Sequence, residues 1–301
     1  MYCRSCRSGG FGDCWCCGEG KNNGYYHRFV LDDYVLSFHR SDWKKNYETD
    51  LLSSLCSRIC VYLLGELAMT IKPPSGPIYH PDMIQGSEEW IAARCGLLTA
   101  SEMKLIITPV TLKPAKNDKA SAHLYELLAQ RITGYVEPRY ISEDMLRGTE
   151  DELEAREIYA KHYNSVTGVG FITNSQWGFT LGYSPDGLVG DDGLIECKSR
   201  RQKFQVETII SNAVPDEHVI QIQSAFLITG RAWCDYVSYC GGMPLAVIRV
   251  EPDEKIMNAI LAAATAFEDA LAEKHEQYKA TLEASPQVIE TERRIEKEMF
   301  V

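Results

Sequence analysis

The 301-residue sequence has no uncharged apolar run long enough to span a bilayer, which takes about 18 residues or more. The nearest approach, Leu51 to Ile71, is interrupted by Arg58 and Glu66, so a transmembrane helix is excluded. A basic segment followed by an apolar core is also missing at the start, where Tyr2-Cys3-Arg4-Ser5-Cys6 leads into glycine. No secretory signal is therefore expected, and the expected compartment is the cytoplasm. Positive charge is in deficit: 31 Lys and Arg face 42 Asp and Glu, for a formal net charge of -11. That excludes a surface that is basic all round and confines any nucleic-acid site to a local patch. The deficit is partly remote from the motifs below, because residues 251–301 carry twelve acidic and six basic side chains.

What is present is the composition of a soluble globular protein, 45% hydrophobic and 24% charged, with enough chain to bury a sizeable core. Eleven cysteines in a reducing compartment are expected to be free, buried or metal-bound, and seven of them precede residue 61. Four expected regions follow. Residues 1–68 form a cysteine- and glycine-rich N-terminal extension. Residues 69–82, with Lys72-Pro73-Pro74-Ser75-Gly76-Pro77, read as a linker. Residues 83–252 carry helical patterns and then a β-rich centre. Residues 253–301 give a long amphipathic helix, through Ile256, Ile260, Ala264, Phe267, Leu271, Tyr278 and Leu282, before a charged tail. Helices are expected over 87–94, 100–107, 120–132, 150–163 and 218–228, and strands over 179–183, 194–198, 233–239 and 247–250. No internal repeat is evident.

The segment Ser184-Pro185-Asp186-Gly187, followed after Val189 by Gly190-Asp191-Asp192-Gly193 and then Leu194-Ile195-Glu196-Cys197-Lys198, has the turn chemistry of a hairpin. In that register Asp186 comes within about one residue of Glu196 across the ladder, where facing Cβ atoms lie roughly 5 Å apart. Glu196 and Lys198 project from one face of their strand, and Ile195 and Cys197 from the other. Two converging carboxylates offer hard oxygen ligands to Mg²⁺, which retains positions for water and phosphate oxygens. A lysine beside them can orient or deprotonate the attacking water and offset charge on phosphorus. An exposed hairpin with a polar face is the alternative for a bare Glu-x-Lys, and Pro-Asp-Gly at the right distance weighs against it.

Three further groups of residues carry their own alternatives. Thr99 and Glu102 have capping-box spacing, so a helix is expected from Ala100 whose free N–H groups, with Ser101 and Arg94, could receive an anion; a capped helix with a surface arginine fits as well. Gln221 and Gln223 point about 200° apart on a helix, so they do not share one phosphate. Lys198, Arg200, Arg201 and Lys203 form a basic run suited to duplex phosphates or to a solvated loop.

These blocks together resemble the PD-(D/E)-x-K nucleases, and within them the phage lambda exonuclease and YqaJ-like viral recombinase group. The likeness runs from about Met83 to Glu251 and includes Trp90-x3-Arg94-x-Gly96-x2-Thr99-Ala100-Ser101, Gly148-x3-Glu152, Ser184-Pro185-Asp186-Gly187 with Glu196-x-Lys198, and Gln221-x-Gln223. The resemblance implies an α/β restriction-endonuclease-like core, a central mixed sheet flanked by helices. It implies Asp186, Glu196 and the Cys197 carbonyl as ligands of Mg²⁺, with Mn²⁺ able to substitute, Lys198 as the catalytic lysine, and Glu152 supporting the metal or its water. It further implies Arg94, Ser101, Ser184 and Gln221 around the 5′-phosphate of duplex DNA. Without it, Glu152 among Glu150, Asp151 and Glu154 reads as a solvated helix face, and Ser184 as turn chemistry. The implied activity is 5′-to-3′ digestion of double-stranded DNA ends to leave 3′ single strands. A ring-shaped homotrimer, a phage single-strand annealing partner and a phage or prophage origin in a bacterial host come with the resemblance. A structure-specific endonuclease on the same core and a non-catalytic zinc-knuckle DNA-binding protein are the alternatives.

At the N-terminus, Cys3-x2-Cys6-x7-Cys14-x2-Cys17 has the two knuckles of a Zn²⁺ site, with Cys16 and His27 as spare ligands. The competing reading is an adventitious or disordered extension, with Gly65-Glu66 encoded by a ribosome-binding sequence and Met69 as the start. No cysteine follows Cys240, so the iron–sulfur variant of the nuclease core is not expected, and Cys95, Cys197, Cys234 and Cys240 read as small buried apolar residues.

Overall fold

The computed structural model describes residues 26–31, 34–39, 76–138, 140, 142–285 and 287–293. The chain divides into two compact units, Met1–Lys72 and Pro73–Val301. The described part of the first unit is an antiparallel ribbon of β1 (Tyr26–Leu31) and β2 (Tyr34–His39), with Tyr26 opposite His39. Cys3, Cys6, Cys14, Cys17, the stretch Leu51 to Leu67 and Met69 lie outside the described residues.

The second unit begins with β3 (Pro77–His80), α1 (Glu88–Arg94), β4 (Leu98–Thr99), α2 (Met103–Ile106), and the short pair β5 (Ile107–Thr108) and β6 (Lys113–Pro114). Two longer helices follow, α3 (Asp118–Thr133) and α4 (Glu143–His162). Next come β7 (Phe171–Asn174), β8 (Leu181–Tyr183), β9 (Gly187–Val189) and β10 (Gly193–Ser199). The chain then crosses through α5 (Gln202–Ser211) and α6 (Asp216–Thr229) to β11 (Trp233–Tyr239) and β12 (Ala246–Val250), and ends in α7 (Glu254–Ala284). Helix starts follow capping chemistry: the side chains of Ser87, Asn117, Ser142 and Asp253 each accept an N–H of the first turn.

Two four-stranded mixed sheets result, in the orders β12-β11-β10-β9 and β3-β7-β8-β4. The β10–β11 and β4–β8 pairs are parallel and the remaining pairs antiparallel. Strand β10 shows why the sheet is covered on both faces. Ile195 and Cys197 pack with Ala155 and Tyr159 of α4 and with Val237 and Tyr239. Leu194, from the opposite face, joins Cys234, Tyr236, Ile222, Phe226, Ile260, Ala264 and Phe267, so α6 and α7 close that side. Each fully buried Leu, Ile or Phe contributes roughly 1.5–3 kcal/mol. Among the described residues no helix is long and apolar enough to cross a membrane.

Two expectations are corrected. Pro77–His80, assigned to the linker 69–82, is strand β3 and pairs with β7. The helix expected from Ala100 starts at Met103 and has four residues. Thr99 belongs to β4, and its hydroxyl bonds the Glu102 carboxylate at 2.7 Å instead of a free N–H, so there is no capping box and no long helix for an anion to meet. The C-terminal helix forms as expected and packs its apolar stripe on the core through Ile260, Ala263, Ala264, Phe267 and Leu271.

Candidate active site

The β9–β10 hairpin pairs Val189 with Gly193, Leu188 with Leu194 and Gly187 with Ile195, so one further step sets Asp186 opposite Glu196. Gly190 takes the left-handed conformation that the tight connection needs, with φ 54°. Gly187 has a different reason: a Cβ there would stand 2.2 Å from a methyl of Val166. Beyond the last ladder pair the Cys197 main-chain N–H donates to Asp186 Oδ2 at 2.6 Å, so the carboxylate replaces a strand partner. The N–H and C=O of a residue in an extended strand leave by the same edge, which turns the Cys197 carbonyl toward Asp186 as well. Its thiol lies in the α4-side core, where burial pushes its pKa well up and leaves it inert.

Glu196 is buried, with 1% of its surface exposed, and every partner it has is a donor. Lys198 Nζ and Gln221 Nε2 both donate to its Oε1, and the Tyr183 hydroxyl donates to Oε2 at 3.0 Å. Burial, then the Glu196 charge, holds the Asp186 carboxyl well above the usual range. On α4, Glu152 is 29% exposed and ion-paired with Arg156 at 3.8 Å. Burial raises its pKa, against Arg156 and Lys198, and the Glu196 charge adds to the rise. The helix face therefore turns toward the site and is not a simply solvated one. Burial alone would lower Lys198, but Glu196 and Asp186 outweigh it and hold the amine above its ordinary range, so Lys198 keeps its proton.

A second cluster adjoins the first through Pro185. The Ser184 hydroxyl accepts from Trp90 Nε1 at 2.9 Å and from Arg94 Nη1 at 3.2 Å. Arg94 Nη2 reaches Thr99 Oγ1 at 3.3 Å, and Ser101 Oγ lies 3.3 Å from that same oxygen. Arg94, Ser101 and Ser184 thus come together, while Gln221 stands apart from them at Glu196. Gln223 is used elsewhere, donating to the Glu251 carbonyl and accepting from the Asp253 N–H.

Two residues beyond Lys198 the surface changes character. Arg147, Arg200, Arg201 and Lys203 line a groove of about 690 Å³ together with Asp151, Gln202, Cys240 and Gly241. The groove opens at the start of α5, whose N-cap residue Arg201 makes no side-chain cap bond. Tyr183, Trp90 and Arg147 received no role from the sequence. A buried tyrosine hydroxyl needs a partner, and that signal alone could have connected Tyr183 to a polar site.

The donor chemistry fits a hard divalent cation. Among the carboxylates Asp186, Glu196 and Glu152, the Glu196 charge raises the cost of ionising both Asp186 and Glu152, and a bound cation would offset that cost. Among the described residues no three His, Cys, Asp or Glu side chains converge closely enough to enclose an ion by themselves. Two carboxylates and a main-chain carbonyl suit an ion that retains water, as Mg²⁺ does.

Comparison with known proteins gives the family. The profile of the YqaJ-like viral recombinase domain matches residues 89–232, a span that contains both clusters. No curated protein matches the chain. Among solved structures, the alkaline exonuclease LHK-Exo of Laribacter hongkongensis is 35% identical with a TM-score of 0.59, and the match covers 66% of this chain and 99% of that one. The same enzyme solved in complex with dAMP is also 35% identical, with a TM-score of 0.60 and the same coverage. With 99% of a 35%-identical alkaline exonuclease spanned, and with the hairpin, α4 and α6 of this fold inside the matched domain, the chain belongs to the YqaJ-like viral recombinase family of lambda-type alkaline exonucleases.

Proposed function

We propose that this protein is a Mg²⁺-dependent deoxyribonuclease that digests double-stranded DNA from its ends in the 5′-to-3′ direction and leaves 3′ single strands. The observation that supports this most is the adjacency of the two clusters: Ser184, bonded to Arg94, stands two residues from Asp186, beside Glu196. A group that grips a terminal phosphate next to one that hydrolyses a phosphodiester suits removal of terminal nucleotides. The L. hongkongensis relative solved with dAMP fits the same reading, because a nucleoside monophosphate is the product of such a step.

On this reading Asp186, Glu196 and the Cys197 carbonyl hold the cation, with Glu152 supporting it or its water. Bound there, the cation supplies Lewis-acid polarisation of the phosphoryl oxygen and an activated water. Lys198, protonated and paired with Glu196, orients the water and offsets negative charge at phosphorus. Gln221 and Tyr183 hold Glu196 in one orientation by donating to its two oxygens. Arg94, Ser101 and Ser184 receive the 5′-phosphate, and the groove of Arg147, Arg200, Arg201 and Lys203 receives backbone phosphates of the duplex. A homotrimer, and a phage single-strand annealing protein that takes over the 3′ strand, complete the proposal.

The test is digestion of closed circular, blunt linear and 5′-labelled duplexes with Mg²⁺, Mn²⁺ or EDTA. Loss of linear duplex alone, with 5′ label released first and only when metal is present, is expected. Nicking or linearisation of the closed circle overturns the exonuclease assignment.

A further inference from the structure

We infer that Trp90 is a positioning residue that makes the Ser184 hydroxyl a one-way hydrogen-bond donor and so tunes the end-binding cluster to a terminal phosphate over a terminal hydroxyl. The inference rests on the proposed role of Arg94, Ser101 and Ser184 as a 5′-phosphate pocket. A serine hydroxyl has one proton and two lone pairs. The indole N–H of Trp90 and the Arg94 guanidinium, neither of which can accept, both donate to Ser184 Oγ. The oxygen's accepting capacity is used, and its proton has to be given outward. Among the described residues no acceptor is bonded to that proton, so the cluster presents a donor in search of an acceptor. A phosphate oxygen satisfies it fully, whereas a 5′-hydroxyl brings a proton of its own to a site already rich in donors.

Trp90 is built to hold this arrangement. Its main-chain N–H donates to Ser87 Oγ at 3.2 Å, which caps α1, and its ring lies under the Arg94 guanidinium with Cζ 4.3 Å from the centroid. One side chain therefore steadies Arg94 by its face and Ser184 by its edge. From the other side Gln85 Nε2 donates to the Pro185 carbonyl at 3.0 Å, so the segment carrying Ser184 is held next to the indole.

Trp90→Phe separates the two contacts, because it retains a ring beneath Arg94 and removes the N–H. In the full-length protein with Mg²⁺, the ratio of digestion rates for 5′-phosphorylated and 5′-hydroxyl blunt duplexes is expected to fall roughly three- to tenfold, chiefly through KM on the phosphorylated end. Thermal stability should stay near wild type, and the rate on hydroxyl ends should fall less than the rate on phosphorylated ends. Ser184→Ala should lower the same ratio, and adding Trp90→Phe to it should change nothing further. An unchanged ratio in Trp90→Phe, an equal loss on both kinds of end, or additive effects in the double variant would each overturn the inference. A wild-type enzyme with no preference for phosphorylated ends overturns the pocket itself, a different result from a preference that Trp90→Phe leaves intact.

Discussion

Asp186 is tied to Cys197 by a single bond, main-chain N–H to carboxylate oxygen at 2.6 Å, at the point where the β9–β10 ladder stops. Asparagine can accept the same bond through its amide oxygen, so Asp186→Asn removes charge and keeps the tether. Cleavage should fall to background while DNA binding persists. A carboxyl whose pKa is raised on folding contributes stability below its unfolded value, near 3.9, and loses it as pH rises through the folded value. In EDTA at pH 8 the variant should therefore melt at or above the wild-type temperature. At roughly 2–4 °C per kcal/mol for a domain of this size, a calorimetric scan resolves the difference. Near wild-type digestion by the purified variant would falsify the assignment of Asp186.

His218 gives a pH signature of its own. Its ring stacks on Tyr236 at 5.5 Å, and its Nε2 lies 3.3 Å from Arg200 Nη1 and from Glu217 Oε1. Burial, then the nearby Lys198 charge, lowers its pKa to about 4. For a base depressed on folding, the stability is fully present above about pH 6.5 and drains away as pH falls toward 4. Relative to His218→Gln, the wild type should lose on the order of 1–3 kcal/mol across that window in urea titrations. Parallel curves for the two proteins would show that the imidazole does not titrate in this way.

The basic groove predicts a salt effect. Arg201→Ala and Lys203→Ala should each weaken duplex binding and reduce the slope of log K against log salt by about one unit for each phosphate no longer neutralised. Arg201 also pairs with Asp144 at 2.9 Å, so Lys203→Ala gives the cleaner measurement. The preference for phosphorylated ends should not change. Unaltered salt slopes in both variants would remove the groove from the DNA interface.

A protein that begins at Met69 should digest DNA at the full-length rate, because every motif shared with the family lies after Met83. Digestion rate, subunit mass and zinc content of the two forms are the measurements. Stoichiometric zinc in the full-length protein together with lost activity on truncation would make Cys3, Cys6, Cys14 and Cys17 a working module.

The parts of this fold that were legible in the sequence are those governed by period and turn chemistry. Strand β11 matches its expected span 233–239 residue for residue, β10 differs from expectation by a residue at each end, and of the expected α7 stripe Ile260, Ala264, Phe267 and Leu271 are buried while Tyr278 and Leu282 at its end are exposed. Helix α5 was missed because its apolar residues do not mark its inner face: Phe204, Val206, Ile209 and Ile210 are exposed. A polar side chain anchors it instead. Gln205 is fully buried, donates to the Ser238 and Pro244 carbonyls and accepts from the Ser238 hydroxyl, a pattern that hydrophobic periodicity does not register. Thr99 misled for a similar reason, since the carboxylate at the capping-box position bonded its hydroxyl directly. In the candidate site, the hairpin placed Asp186, Glu196 and Lys198 from local spacing alone. Gln221, Tyr183 and Trp90 join through tertiary contacts that no local pattern encodes.

Ser184 and Asp186 are separated by one proline, whose ring restricts φ to about −65°. On the proposed reading, the span between the grip on the strand end and the bond to be broken is bounded by this short link and fixed by the contacts of Trp90, Gln85 and Cys197 that hold it. An enzyme that advances by repeated cuts needs a gauge that does not stretch with temperature or load, and this tripeptide would serve as one. Its stiffness would keep each excised unit the same size, so that errors of stride would arise from the substrate and not from the tool.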